Sequence, residues 1–186
     1  MADTSDIGVG SVIRFNGELC QIIEYTHRTP GNLRAFYQAK MRNLKTQKLV
    51  EYRFRSGEGV DLVRIEYRPL QYIYSEGEHI VCMDNTTYEQ VHIPSVLFGD
   101  GLKFMKEGNE VKVAFEEDTP ITAEAPVFVE LQITYTEPGV KGDTATNTLK
   151  PATLETGAVV MVPLFVNESE KIRIDTRTGS YVERVK

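Results

Sequence analysis

The chain has 186 residues, of which 41% are hydrophobic and 26% charged, and a net charge of −6; this composition fits a soluble globular protein and excludes a disordered or collagen-like one. No apolar run approaches the eighteen or so residues of a membrane helix, and the opening MADTSDIGVGS lacks the basic and apolar regions of a signal peptide, so a cytoplasmic protein with no membrane partner is expected. The length admits one domain, two, or three compact barrels of about 60 residues each.

Charge is unevenly spread. Residues 1–63 hold nine Lys/Arg against seven Asp/Glu, or +2, while residues 64–186 hold twelve against twenty, or −8. Between Arg14 and Arg55 the balance is nine against three, or +6. A basic segment on an acidic protein suggests that one part meets a polyanion while the rest does not adhere to it indiscriminately.

In chain order, SVIRFNGELCQIIEY, RAFYQAKMRNL, KLVEYRFR, HIVCMD, EVKVAFEED, VFVELQITYTE, AVVMVPLFV and KIRIDTRTGSYVERV are short, rich in Val, Ile, Phe and Tyr, and alternate apolar with polar residues. Asn16-Gly17, Pro30-Gly31, Ser75-Glu76-Gly77, Pro138-Gly139 and Thr178-Gly179 punctuate them at the spacing of small barrels. The expected class is all-β. Short helices are expected only between Tyr88 and Met105, where Ile93, Val96, Leu97, Leu102 and Phe104 are available to cover a barrel end.

Two boundaries suggest themselves. One lies near Val63-Arg64, where the basic balance gives way to five Lys/Arg against twelve Asp/Glu over residues 64–126; the other lies near Pro126, after the polar EEDTPITAEAP. Segments 1–63, 64–126 and 127–186 result, each small enough that packing against a neighbour matters to it.

Cys20 and Cys82 lie 62 positions apart within apolar runs, which suits buried reduced thiols. His27, His79 and His92 have no paired ligand spacing, and neither a nucleophile elbow nor a phosphate-binding loop is present. No catalytic residue, metal or cofactor is therefore expected, and the reading turns to binding.

Two loops carry it. Strands near 18–26 and 35–44 form a hairpin whose arms could reach about 25 Å at strand rise. Its tip, Thr29-Pro30-Gly31-Asn32, fits a type II turn, since proline presets φ at the second position and glycine accepts positive φ at the third. Arg28, Arg34, Lys40 and Arg42 line it with cations. The second loop, TEPGVKGDTATNTLKPAT, combines turn residues, threonine hydroxyls, Lys141 and Lys150, a mixture suited to single-stranded RNA or phosphate.

The run from TYTEPGVKGDTATNTLKPATLETG to GSYVERVK, with Pro-Gly-x-Lys-Gly-Asp-Thr at Pro138 to Thr144, resembles the C-terminal domain of the bacterial elongation factor P family. The likeness extends over the whole chain through the hairpin near residue 32 and the middle MDNTTYEQ. It implies an SH3-like (KOW-like) barrel followed by two OB-fold barrels in an L-shaped, tRNA-like arrangement. It further implies a monomer that binds the 70S ribosome between the P and E sites and relieves stalling on consecutive prolines by positioning the peptidyl-tRNA, with no chemistry of its own. Carried over by position, Arg28, Thr29, Pro30, Gly31, Asn32, Leu33 and Arg34 would form the loop at the peptidyl transferase centre. Gly142, Asp143 and Thr144 would meet the E-site mRNA codon, and Lys40, Arg42, Lys141 and Lys150 are candidate contacts to ribosomal RNA. The alternative of a different class is a stand-alone OB-fold RNA-binding or RNA-chaperone protein, which the net charge of −6 disfavours.

The tip departs from the family pattern. Pro30-Gly31 and Ala35-Phe36 align without a gap, so Asn32 stands where members carry a modified lysine or arginine, and Leu33 stands where glycine is usual. Either the loop works unmodified, with the Pro-Gly turn and Arg34 making the contacts, or Arg34 or Arg28 is modified instead.

Overall fold

The computed structural model of the protein describes residues 2–31, 34–138 and 149–185. It falls into two compact units, residues 1–67 with 114–122, and residues 68–113 with 123–186.

The first unit contains β1 (Ala2–Asp3), β2 (Val12–Phe15), β3 (Glu18–Arg28), β4 (Phe36–Asn43), β5 (Leu49–Arg55), β6 (Gly59–Val60) and β7 (Leu62–Val63). The five-stranded sheet runs β5-β4-β3-β2-β7, and β1 pairs with β6 in a small second sheet. Asn16 and Gly17, both at positive φ (51° and 81°), close the β2–β3 hairpin in the way that matches strand twist. Alternation places Ile13, Cys20, Ile22, Ala39, Met41 and Phe54 inside with Ile7 and Val60. Each large apolar side chain buried there contributes about 1.5–3 kcal/mol relative to exposure. The strand β4 ends at Asn43, whose side chain is buried and whose Oδ1 accepts the backbone N–H groups of Lys45 and Thr46, both at 2.9 Å. That local bond offers the backbone a turn in place of a further ladder rung.

Strand β8 (Ile65–Glu76) opens the next sheet, which continues with β9 (His79–Met83), β10 (Gln90–Pro94), β11 (Glu110–Glu116) and β12 (Thr119–Glu124), in the order β10-β9-β8-β11-β12. The last sheet comprises β13 (Phe128–Thr136), β14 (Leu149–Leu154), β15 (Val159–Pro163), β16 (Lys171–Asp175) and β17 (Ser180–Val185), in the order β15-β14-β13-β16-β17. Its core gathers Leu131, Ile133, Leu154, Val162, Ile172 and Ile174 around Phe104.

Between β10 and β11, Ser95–Phe104 forms a 3-10 segment broken at Gly99 (φ 54°). The expectation of short helices over 88–105 is therefore correct only for its second half. Val91 and Ile93 continue strand alternation as far as Pro94, which cannot donate to a ladder. Within the segment Phe98 and Phe104 are buried, whereas Val96 is 80% exposed and covers nothing.

Both cysteines are free and buried, as expected. Burial pushes the Cys82 thiol up to about 11 and raises that of Cys20, to which the charge of Glu18 adds.

Candidate functional site

The β3–β4 hairpin is the longest pairing of the first unit. Beyond a bulge between Ile22 and Glu24, its register runs Glu24↔Lys40, Tyr25↔Ala39, Thr26↔Gln38, His27↔Tyr37 and Arg28↔Phe36. Directly opposed residues share a face of the sheet, so two surfaces extend toward the tip.

The inward face is aromatic. Tyr25 stacks on Tyr37 with ring centroids 4.9 Å apart, and Tyr37 stacks on His27 at 4.5 Å. The Tyr25 hydroxyl donates to the Thr4 carbonyl oxygen at 2.7 Å, and burial raises its pKa to about 12, with Tyr37 and Asp3 adding to the shift. Rigid rings bolted to β1's neighbour thus carry the core outward along the arms, and the tip projects from a stiff base.

The outward face is polar and cationic. Arg28 and Arg34 are exposed at the ends of the two arms, with Thr29 and Gly31 exposed and Pro30 half-buried after β3. None of the arginines at 28, 34 and 42 forms an ion pair among the described residues. Lys40 differs, since its Nζ lies 3.1 Å from Glu24 Oε1 and its charge is largely offset. Asn32 and Leu33 lie outside the described residues, and with them the expected type II turn.

Of the second loop, Lys141, Gly142, Asp143 and Thr144 also lie outside the described residues. Lys150 lies within them and does not point to a ligand. Its side chain is 6% exposed and its Nζ donates to the Glu137 carbonyl oxygen at 2.7 Å, so it braces the strand end. Burial of the long stem beside an apolar core accounts for this better than a role as a solvent-facing cation.

The sequence reading missed Arg53 and Arg55. Strand β5 pairs with β4 in the register Phe36↔Arg55, Tyr37↔Phe54 and Gln38↔Arg53, which brings both arginines to the outward face. Their alternation with buried Phe54 in EYRFR was the available signal. No group of three or more potential metal ligands occurs among the described residues.

Family models match along the chain in three consecutive pieces: an elongation factor P KOW-like domain over residues 3–60, an elongation factor P OB domain over 65–123, and an elongation factor P C-terminal domain over 129–184. An elongation factor P of Chloroherpeton thalassium is 54% identical over 187 residues, covering all of both chains. That of Chloroflexus aurantiacus is 50% identical over 184 residues, covering 98% of this chain and 97% of the relative. Among solved structures, a translation initiation factor eIF-5A family protein from Naegleria fowleri superposes with a TM-score of 0.54 at 13% identity, over 67% of this chain and 94% of that one, a likeness of fold alone. The architecture is an SH3-like barrel followed by two OB-fold barrels, and the elongation factor P models and relatives matched over it make the protein a translation elongation factor. The chain belongs to the elongation factor P family.

Proposed function

We propose that this protein binds the 70S ribosome between the P and E sites and promotes peptide-bond formation at stalled polyproline sequences by positioning the peptidyl-tRNA. The observation that carries the reading is the β3–β4 hairpin, a pair of arms stiffened by the Tyr25–Tyr37–His27 stack and bearing beside its tip the exposed Arg28 and Arg34, which form no ion pair among the described residues. In this reading residues 1–63 carry the loop Arg28 to Arg34 toward the peptidyl transferase centre, residues 64–126 form the central OB domain, and residues 127–186 bring Gly142, Asp143 and Thr144 to the E-site codon. Arg42 and Lys141 contact ribosomal RNA, and Lys150 positions its loop.

Proline is a poor partner in peptide transfer because its ring restricts the reacting geometry. Orientation of the reacting groups alone can recover many orders of magnitude in rate, so the factor needs neither an acid nor a base, and no cofactor enters. It acts as a cytoplasmic monomer. With neutral Asn32 at the tip, the cations on either side of it supply the contacts, and the loop works unmodified.

Retention on ribosomes stalled at three consecutive prolines, compared with retention on free single-stranded RNA at physiological salt, tests the reading. Tight binding to stalled ribosomes with weak binding to free RNA is expected. The reverse order overturns it in favour of an RNA chaperone.

A further inference from the structure

Thr4 follows β1 and is fully buried, at 0% exposure, which costs stability unless each of its polar groups finds a partner. Each does. Its backbone N–H donates to the Glu58 carbonyl oxygen at 3.1 Å, and its hydroxyl donates to the Arg55 carbonyl oxygen at 3.3 Å while accepting the Gly57 N–H at 2.9 Å. Its own carbonyl oxygen accepts the Tyr25 hydroxyl at 2.7 Å. Tyr25, Arg55 and Gly57 lie 21, 51 and 53 positions along the chain, so one side chain and its peptide groups join three distant segments. The turn from Arg55 to Glu58 is closed by the Arg55 N–H donating to Glu58 Oε2 at 2.7 Å, and within it the Ser56 N–H donates to the Ala35 carbonyl oxygen at 3.3 Å. Ala35 immediately precedes β4, whose Phe36 pairs with Arg28 at the end of β3. Thr4 is thus bonded to one arm of the hairpin directly, through Tyr25, and to the other through the turn.

We infer that Thr4 is a positioning residue: by tying Tyr25 on the ascending arm and, through the Arg55–Glu58 turn, Ala35 on the descending arm, it sets where the hairpin tip stands relative to its barrel. A two-stranded ribbon held only by its own ladder is marginally stable and twists strongly. Tyr25 precedes the end of β3 by three residues, whereas Ala35 lies just beyond the start of β4. The two anchors therefore meet the ribbon at different heights and resist tilt as well as sliding. Packing alone would be served by valine, which has nearly the shape of threonine and no hydroxyl to satisfy. In a reaction accelerated by orientation, a displacement of about 1 Å can cost about a hundredfold in rate. A buried residue that never meets tRNA then controls the rate by fixing the residues that do.

The effect of Thr4 on rate rests on the ribosomal reading, whereas its hold on the hairpin does not, so both are measured. Full-length wild type, Thr4→Val, Thr4→Ser and Tyr25→Phe are first checked by thermal unfolding to be folded at the assay temperature. Tyr25→Phe leaves the bonds between Thr4 and the turn in place, and it carries the test if Thr4→Val does not fold. Backbone amide order parameters of Arg28, Gly31 and Arg34 are measured by NMR without ribosomes, and the rate of proline–proline bond formation on ribosomes is followed against protein concentration. Thr4→Val and Tyr25→Phe are expected to lower the order parameters at those three amides. They should cut the saturating rate by about threefold to a hundredfold, with the half-saturating concentration changed by less than about twofold. Thr4→Ser, which keeps the hydroxyl, should stay at the wild-type values. Where wild type accelerates the reaction, folded variants with its saturating rate show that Thr4 only stabilises the barrel, and they overturn the inference; order parameters equal to wild type overturn it too. If wild type does not accelerate the reaction while the variants loosen the hairpin, the ribosomal reading falls and the hold of Thr4 on the hairpin stands.

Discussion

Tyr25 and Tyr37 stack with their ring planes 11° apart, and the Tyr25 hydroxyl is tied to the Thr4 carbonyl oxygen. This is the joint between the N-terminal barrel core and the hairpin that projects from it. Replacing Tyr37 removes contacts to both Tyr25 and His27 at once. Tyr37→Ala is expected to destabilise the protein by about 2–3 kcal/mol, below the roughly 3–5 kcal/mol of a fully buried aromatic truncation because the ring is half-buried. Chemical denaturation checks this, and amide exchange in β3 and β4 should rise more than in β16 or β17.

Gly101 shows a different dependence on size. A Cβ placed there would lie 2.8 Å from the Ala125 Cβ, closer than carbon atoms can approach, and its own φ is not positive. The constraint is therefore space and not backbone conformation. Gly101→Ala is expected to cost about 1–3 kcal/mol through overpacking, and Ala125→Gly in the same chain should restore most of the loss. Thermal unfolding of the single and double variants measures the coupling.

Lys150 separates a structural cation from a binding one. Its ammonium donates to the Glu137 carbonyl oxygen in a part-buried setting while Lys150 itself is buried, so Lys150→Met, which keeps the stem, removes that bond. A loss of about 1–3 kcal/mol is expected. The salt slope of ribosome binding, measured on the same variant, should stay at the wild-type value.

Glu155 carries a pH dependence. Burial pushes its carboxyl up, but the Gln132 backbone N–H and the Lys106 ammonium, at 2.9 and 3.0 Å, hold it lower still, and its net pKa lies below the ordinary value. A carboxylate with a depressed folded-state pKa stabilises above its unfolded pKa, and that stability is lost as pH falls through the folded value. Wild type should therefore lose stability on acidification below about 4.5 more steeply than Glu155→Gln. Unfolding midpoints between pH 6 and pH 3 test the difference.

Much of this architecture was legible because strands announce themselves locally. The hairpin from Glu18 to Asn43 follows from alternation and a Pro-Gly turn, and Cys20 and Cys82 sit on the apolar phase of their strands. What escaped depends on pairing between distant segments. Arg53 and Arg55 become neighbours of Arg28 only through the register of β5 on β4 on β3. Lys40 looks like Arg42 in sequence, and only the rung it shares with Glu24 distinguishes them. Lys150 read as a loop cation, but strand β14 turns it inward, where its stem is covered. In the 88–105 stretch, the apolar residues fit either period, and Pro94 decides where the strand stops.

The central claim is that the cations flanking a neutral tip let the hairpin orient peptidyl-tRNA without any modification. The rate of proline–proline bond formation on ribosomes, with protein made in a host lacking modifying enzymes and its sequence mass verified, tests it most directly. Unmodified wild type should accelerate the step by at least about tenfold, a barrier change of about 1.4 kcal/mol, and Arg28→Gln/Arg34→Gln should lose most of that gain while unfolding at the wild-type temperature. An unmodified protein with no effect on the rate, or a double variant as active as wild type, would contradict the account.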